Sequence, residues 1–118
     1  MPKPLRVLVV EDEMTIALMI EDMLADLGHE VVGMAMRLPD ALALAKGIEI
    51  DLAILDVNLA GQMSFPVAEL LKDRGVPFIF ATGYGSAGVE EPYRGRTVVM
   101  KKPFALKDLS GAIAKAAA

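Results

Sequence analysis

The stretch Asp51-Leu-Ala-Ile-Leu-Asp56-Val-Asn58 decides the fold, because it is a short apolar run that ends on an acid. Apolar residues bounded by polar ones are typical of a strand buried on both faces, although this pattern alone also allows a buried helical segment. Asp56 falls at the carboxyl end of the predicted strand. In an open parallel sheet, ligands bind beyond that end. Asp56 is therefore either a functional residue or an ordinary loop cap, for which aspartate is also favoured.

Four further apolar runs are predicted strands, and amphipathic segments separate most of them. The predicted strands cover residues 5–10, 30–35, 76–81 and 97–100, and the second is predicted to be a sheet edge. The helical signals are an apolar face from Ile16 to Leu27 ended by Gly28, Pro39 in a first turn closed by Gly47, Ser64 as N-cap of a helix ended by Gly75, and a final helix with Leu106, Leu109 and Ile113. Strands that alternate with helices predict βαβ units around a parallel sheet.

The segment between the last two predicted strands breaks the pattern. Its glycines and proline predict that any helix there is short or irregular: Gly83, Gly85, Gly88, Pro92 and Gly95. The 118 residues, numbered 1–118, are the size of a single domain. The absence of cysteine excludes disulfides, thiolate metal sites and thiol nucleophiles.

Charge and hydropathy narrow the classes of function. A net charge of −4 argues against a sequence-independent nucleic-acid binder, which normally has a basic face. The sequence contains no apolar run of about 20 residues that would span a bilayer and no secretory signal pattern. We therefore expect a cytoplasmic protein with neither nucleic acid nor membrane as a partner.

Chemically useful side chains follow four of the predicted strands. Glu11 and Asp12 follow the first strand, Asp56 the third, Thr82 the fourth and Lys102 the fifth. Because the carboxyl ends of parallel strands lie along one edge, these side chains are expected to share one pocket. Each residue alone could be a turn, helix-start or solvated residue, and it is their combination that favours a site.

Carboxylates that lie close together repel one another, and this repulsion must be offset. Like charges about 4 Å apart repel by roughly 4 kcal/mol at an effective dielectric of about 20, so such a cluster needs a cation or raised pKa values. Sites with few carboxylates suit Mg²⁺, which also bridges to phosphate oxygens. A shielded Asp56 could then attack a phosphoryl group to form an aspartyl phosphate. Lys102 could supply a charge, and Thr82 a hydrogen bond, to the remaining phosphoryl oxygens.

Four motifs, in this order and spacing, resemble the receiver domain of bacterial response regulators. They are Val9-Val-Glu11-Asp12-Glu13, Leu55-Asp56-Val-Asn58, Ala81-Thr82-Gly83 and Lys102-Pro103-Phe104. The resemblance covers essentially the whole chain, and the four motifs together are highly specific. It implies an α/β fold of the flavodoxin-like type, with a doubly wound five-strand parallel sheet of order 2-1-3-4-5.

The resemblance also implies a role for each motif residue. Asp56 is implied as the phosphoacceptor, Thr82 as the switch hydroxyl and Lys102, in preference to Lys101, as the phosphate-binding lysine. Mg²⁺ is the implied cofactor, and its implied ligands are Asp12, Asp56, Glu11 through water and Asn58 through its backbone carbonyl. The partner implied is a sensor histidine kinase or a phosphotransfer protein.

A narrower resemblance rests on Pro77-Phe-Ile-Phe80-Ala81-Thr82-Gly83-Tyr84-Gly85. This stretch is similar to the FAT GUY group of single-domain receivers, in which the fourth helix is commonly shortened. Val99 departs from the receiver pattern, because that position usually carries Tyr or Phe and the departure puts the usual aromatic switch in doubt. We hypothesise that Tyr84 takes over part of the signalling role, although it could also be a plain surface turn residue.

The function implied is two-component signal transduction by a phosphoacceptor with modest self-catalysed phosphorylation and dephosphorylation, rather than by a metabolic enzyme. A stand-alone regulator, phosphate sink or shuttle is expected, although a fragment of a longer regulator or hybrid kinase would look identical. A Mg²⁺-dependent phosphatase using an aspartyl phosphate is the rival from the enzyme class. Such enzymes usually carry Asp-x-Asp after the first strand, whereas this chain has Glu11-Asp12-Glu13 there and no second acid at Asn58 to act as general acid. A nucleotide-binding protein fits less well, because residues 83–88 lack a Walker lysine.

Overall fold

Seven strands and four helices make up the part of the chain that the computed structural model describes, residues 4–83 and 98–117. The strands are β1 (Arg6–Val10), β2 (Glu30–Ala35), β3 (Leu52–Asp56), β4 (Asn58–Leu59), β5 (Gln62–Met63), β6 (Phe78–Thr82) and β7 (Val98–Lys101). The helices are α1 (Met14–Asp26), α2 (Leu38–Gly47), α3 (Phe65–Asp73) and α4 (Leu106–Ala116). Among these residues, no helix is long and apolar enough to cross a membrane.

The main sheet is parallel throughout and runs in the order β2-β1-β3-β6-β7. Since β4 and β5 form a separate antiparallel pair, this order is 2-1-3-4-5 when only the sheet strands are counted, which confirms the predicted fold. β2 lies at an edge of the sheet, as predicted. Pro77 precedes β6, where its missing N–H removes no bond from the ladder.

The sheet is covered on both faces, so its central strands are buried. Val7 and Val9 point to the face that packs on α1 and α4, whereas Leu8 and Val10 point to the face that packs on α2 and α3. In β3, all four apolar residues 52–55 are at most 1% exposed. This confirms the prediction of a strand buried on both faces. Asp56 is therefore held at the end of a buried apolar strand.

Two of the predicted glycine helix ends follow a Schellman motif. Gly28 has φ 84°, its N–H donates to Ala25 O, and the next amide, of His29, donates to Leu24 O. Gly75 has φ 72° and closes α3 in the same way. These ends return the chain to the sheet. The prediction of a short or irregular fourth helix concerns residues 84–97, which lie outside the described residues.

Ser64 occupies the predicted N-cap position of α3 but does not cap it through its side chain. Its hydroxyl makes no capping bond and has no hydrogen-bond partner among the residues that the structure describes, although the residue is fully buried. The predicted N-cap position of Ser64 is confirmed, but its hydroxyl does not supply the capping bond. The main chain holds this position instead, since Ser64 N–H donates to Val57 O at 2.8 Å.

We expect Ser64→Ala to leave the free energy of unfolding unchanged or to raise it by up to about 1 kcal/mol, because an unpaired buried hydroxyl is unfavourable. A working N-cap serine would instead lose about 1 kcal/mol on the same change. Urea denaturation of both proteins measures the difference. A loss of that size in the variant would contradict the arrangement seen at Ser64.

Candidate functional site

Three acids converge at the carboxyl edge of the sheet. Glu11 and Asp12 follow β1 directly, and Asp56 is the last residue of β3, beside β1 in the sheet. One carboxylate oxygen from each of the three lies within 4.8 Å of the other two. Glu11 is only 1% exposed, and Asp12 and Asp56 are partly buried. The structure thus brings together acids that are more than 40 residues apart in sequence.

Lys102 directly follows β7, and its side chain reaches this acidic cluster. Its Nζ lies 2.5 Å from Glu11 Oε1 and 3.2 Å from Asp56 Oδ2, so it forms ion pairs with both carboxylates. Its backbone N–H donates to Thr82 O at 2.8 Å, which fixes the residue just beyond β7. The neighbouring Lys101 is exposed. The preference for Lys102 over Lys101 as the lysine near Asp56 agrees with this geometry.

The electrostatics of the cluster follow from burial and from these ion pairs. Burial raises the pKa of Glu11 to about 7, although the hydrogen bond from Lys102 opposes this shift. Burial likewise raises the pKa of Asp56. Burial would raise the pKa of Asp12 as well, but hydrogen bonds to Glu11, Asp56 and the Ala60 amide outweigh it and lower that pKa. The cluster therefore uses both a cation and raised pKa values, the two forms of compensation expected for crowded acids.

The pKa of Lys102 is raised as well. Burial alone would lower it, but the hydrogen bond to Glu11 and the charge of Asp56 outweigh the burial. Lys102 therefore stays fully protonated at neutral pH and remains available as a donor to any anion that enters the site.

The loop after Asp56 folds into a hairpin that no pattern in the sequence predicted. β4 and β5 pair through Asn58↔Met63 and Leu59↔Gln62, and Ala60 and Gly61 form the turn with φ of 52° and 92°. A left-handed alanine costs about 1 kcal/mol. The only sequence signals were Gly61 and Asn58, whose side-chain carbonyl accepts the Gly61 N–H at 2.7 Å.

The hairpin contacts two of the acids. Asn58 N–H points to Asp56 Oδ1 at 3.4 Å, and Ala60 N–H donates to Asp12 Oδ2 at 3.2 Å. Asn58 itself is exposed. Its predicted role as a backbone-carbonyl ligand stays a prediction, but its position directly beside the acids is compatible with that role.

The other residues predicted for the site are Thr82, Val99 and Tyr84. Thr82 is buried at the end of β6, the strand that pairs with β3 on one side and β7 on the other. Val99 lies in β7, opposite Phe80, and is half-buried in the core on the α2 and α3 side. An aliphatic side chain therefore fills the position where receivers usually carry an aromatic ring. Tyr84 lies outside the described residues.

The donor set fits a hard divalent cation. Three carboxylates with oxygens this close are all-oxygen ligands of the kind that Mg²⁺ and Ca²⁺ take. A small number of protein ligands favours Mg²⁺, because this ion usually keeps several waters. Glu11, Asp12 and Asp56 are the residues that could hold it.

Glu11 should make the metal-free protein less stable as the pH rises. Its folded pKa of about 7 lies above the ordinary value of 4.5, so its favourable contribution is complete below pH 4.5 and is lost as the pH passes 7. Between pH 5.5 and 8 the free energy of unfolding should fall by about 2 kcal/mol through this group. Urea denaturation in EDTA at both pH values measures it, and Glu11→Gln should remove this part of the slope. An equal slope in the variant would exclude Glu11 as its source.

Curated relatives match most of this chain in sequence. The transcriptional regulatory protein PdtaR of Mycobacterium tuberculosis is 34% identical over 113 residues, which are 93% of this chain and 55% of PdtaR. The phyllosphere-induced regulator PhyR of Methylorubrum extorquens is 32% identical over 113 residues, which are 93% of this chain and 42% of PhyR. The chain thus spans about half the length of the curated relatives it matches.

SdrG is similar over nearly all of the chain in its solved structure. The solution structure of SdrG from Sphingomonas melonis Fr1 superposes with a TM-score of 0.85 at 43% identity, and the match covers 97% of both chains. A structure of the BeF3-activated conformation of SdrG from Pseudomonas melonis Fr1 matches with a TM-score of 0.82 at 42% identity over 96% of each chain.

A doubly wound parallel sheet with acids and a lysine at its carboxyl edge defines the class of protein, an α/β domain with an acidic site that could hold a metal ion. The sequence profile of the response regulator receiver domain matches residues 7–114, and the chain therefore belongs to the response regulator receiver domain family. This family comprises signalling domains of two-component systems. The resemblance stated from the four motifs is confirmed at the level of the family.

Proposed function

We propose that the chain is a phosphoacceptor module that takes a phosphoryl group on Asp56 from a histidine kinase or a phosphotransfer protein and changes its protein contacts in response. The observation that carries this proposal is the ion pair of 3.2 Å between Lys102 Nζ and Asp56 Oδ2, in a site that also holds Glu11 and Asp12. A nucleophilic carboxylate, a fixed cation and metal-binding acids are the groups that phosphoryl transfer requires.

The acids divide the chemistry between them. Asp56 attacks phosphorus through one carboxylate oxygen, a new O–P bond forms, and the bond to the donor nitrogen breaks with its electron pair returning to the donor imidazole. Asp12, Asp56, Asn58 through its carbonyl and Glu11 through water would hold Mg²⁺. The bound ion supplies charge shielding that lets two anions approach each other.

Lys102 and Thr82 would receive the transferred group. The Lys102 ammonium already contacts Asp56, so it can donate to a phosphoryl oxygen with little rearrangement. Thr82 lies at the end of the neighbouring strand and offers a hydroxyl donor from the same edge. When Lys102 turns to the phosphoryl group, its ion pair with buried Glu11 weakens, which couples phosphorylation to the β7 end of the sheet.

The route by which the signal leaves the site differs from the common receiver pattern. Val99 has no ring that could rotate, and its side chain packs in the core. We therefore keep Tyr84, two residues after Thr82, as the proposed aromatic of the switch. Loop chemical shifts that respond to phosphorylation in the wild type and equally in Tyr84→Ala would remove Tyr84 from the mechanism.

A stand-alone regulator, acting as a phosphate sink or shuttle through protein contacts, is the form of the proposal that we favour. Its support is the similarity to SdrG, whose structure is matched over 97% of its length. The receiver part of a longer regulator is the alternative, and the partial coverage of PdtaR and PhyR favours it.

The proposal is tested with beryllofluoride, which mimics a phosphoryl group on a carboxylate. The matched SdrG structure is of a BeF3-activated conformation. In the presence of Mg²⁺, we expect beryllofluoride to shift the amide resonances of residues near Asp56, Thr82 and Lys102 and to leave Asp56→Asn unchanged. No shift in the wild type, or an equal shift in the variant, would overturn the phosphoacceptor assignment. Steady turnover of acetyl phosphate well beyond one equivalent would favour the phosphatase alternative instead.

A further inference from the structure

The β4–β5 hairpin reaches the acidic site through the main chain of its turn. The amide of Ala60 donates to Asp12 Oδ2 at 3.2 Å, a contact between residues 48 positions apart in sequence. Asp12 has no strand or helix of its own to hold it, because it lies in the bend between β1 and α1. The hairpin therefore supports this carboxylate from outside its own loop, together with the hydrogen bond to Asp56 of β3.

Ala60 holds its position in a left-handed conformation that alanine rarely adopts. Its φ of 52° and the 92° of Gly61 correspond to the two central residues of a type I′ turn. Such a residue persists only where its surroundings determine it. Two contacts do so here: the Gly61 N–H donates to Asn58 Oδ1 at 2.7 Å, and Leu59, 1% exposed, anchors the hairpin in the core.

We propose that the main-chain amide of Ala60 is a positioning group for a divalent cation at Asp12, an inference that rests on the Mg²⁺ site of the proposed function. By donating to Oδ2, the amide restrains the rotation of the Asp12 carboxylate and so sets the direction in which its oxygens face the acidic cluster. Hydrogen bonds of this kind to a ligating group typically change metal affinity 10- to 100-fold.

The same hairpin begins at Asn58, whose carbonyl is the predicted main-chain ligand. The hairpin would thus contribute one ligand and orient another. Because binding free energies are reciprocal, the ion should stabilise the turn conformation by as much as that conformation strengthens the binding of the ion.

Calorimetric titration with MgCl₂ compares the wild type with three variants at position 60. Ala60→Pro removes the N–H and fixes φ near −65°, and we expect its Mg²⁺ affinity to be at least about tenfold lower. Ala60→Gly keeps the amide and adopts positive φ freely, so it should retain an affinity within about twofold of the wild type. Ala60→Val keeps the amide but disfavours positive φ, so its affinity should fall between these two.

A purely structural hairpin would lower the thermal unfolding midpoint of Ala60→Pro without weakening Mg²⁺ binding by the folded protein, so both quantities are measured. If Ala60→Pro does not fold, Ala60→Val carries the test. Wild-type affinity in the folded variants that disturb the turn overturns the positioning role alone. A wild type that binds no Mg²⁺ overturns the metal site of the proposed function, and the positioning role with it.

Discussion

Replacing Lys102 with methionine is expected to lower the free energy of unfolding by about 3 kcal/mol at pH 8 without Mg²⁺, because it leaves a buried carboxylate without its cation. Glu11, 1% exposed, loses the ion pair of 2.5 Å that compensates its charge, and Asp56 loses the pair of 3.2 Å. Methionine is close to lysine in length and fills the same space, so packing changes little. The same variant should also take up phosphoryl groups far more slowly, since no ammonium remains beside Asp56.

Lys101→Met is the matched control for this change. Lys101 is the exposed neighbour, and it makes no ion pair within the described residues, so we expect its replacement to change stability by at most about 0.5 kcal/mol. Millimolar Mg²⁺ should restore part of the stability of Lys102→Met but not of a variant destabilised by lost packing, because the ion replaces the missing positive charge. Equal unfolding midpoints for the two variants in EDTA would contradict the role of Lys102 in holding the acidic site together.

Asp56→Asn is expected to abolish phosphoryl uptake while making the metal-free protein more stable. The amide is not a nucleophile, so the O–P bond cannot form at this position. Burial raises the pKa of Asp56, which means that its ionised form is disfavoured in the folded state, and a neutral amide should therefore raise the free energy of unfolding at pH 8. A substitution that abolishes phosphoryl uptake but stabilises the fold is characteristic of a functional site whose charged groups lower the stability of the protein.

Asp51→Asn supplies the control from the opposite end of the same strand. Asp51 forms an ion pair with Arg6 at 3.0 Å and lies just before β3. Its replacement therefore removes an acid beside the same strand without changing the acidic cluster. We expect normal labelling of this variant by ³²P from acetyl phosphate and none of Asp56→Asn. Labelling of Asp56→Asn at the wild-type rate would locate the acceptor elsewhere.

The sheet was predictable from the sequence because its signals are local and mutually consistent. A strand such as β3 is apolar along its whole length and ends on an acid, and glycines such as Gly28 and Gly75 close helices through positive φ. The convergence of Glu11, Asp56 and Lys102 was also predictable, since parallel topology alone brings their strand ends to one edge.

The finer geometry of the site was not predictable, because it depends on contacts that leave no local pattern. Nothing in the sequence indicates that Lys102 bridges two acids or that Ala60 adopts positive φ. The Arg74 guanidinium, which donates to the Ala45 and Ile48 carbonyls at the end of α2, is a further contact between distant segments that the sequence did not reveal. Ser64 shows the converse, because a residue favoured at N-caps is present where its hydroxyl caps nothing.

The most direct test of the phosphoacceptor assignment is the intact mass of the protein after incubation with acetyl phosphate and Mg²⁺. We predict a single adduct of one phosphoryl group on the wild type, loss of that adduct when EDTA removes the metal, and no adduct on Asp56→Asn. An unmodified wild-type chain, or an adduct that Asp56→Asn still acquires, would contradict the assignment of Asp56 as the phosphoacceptor.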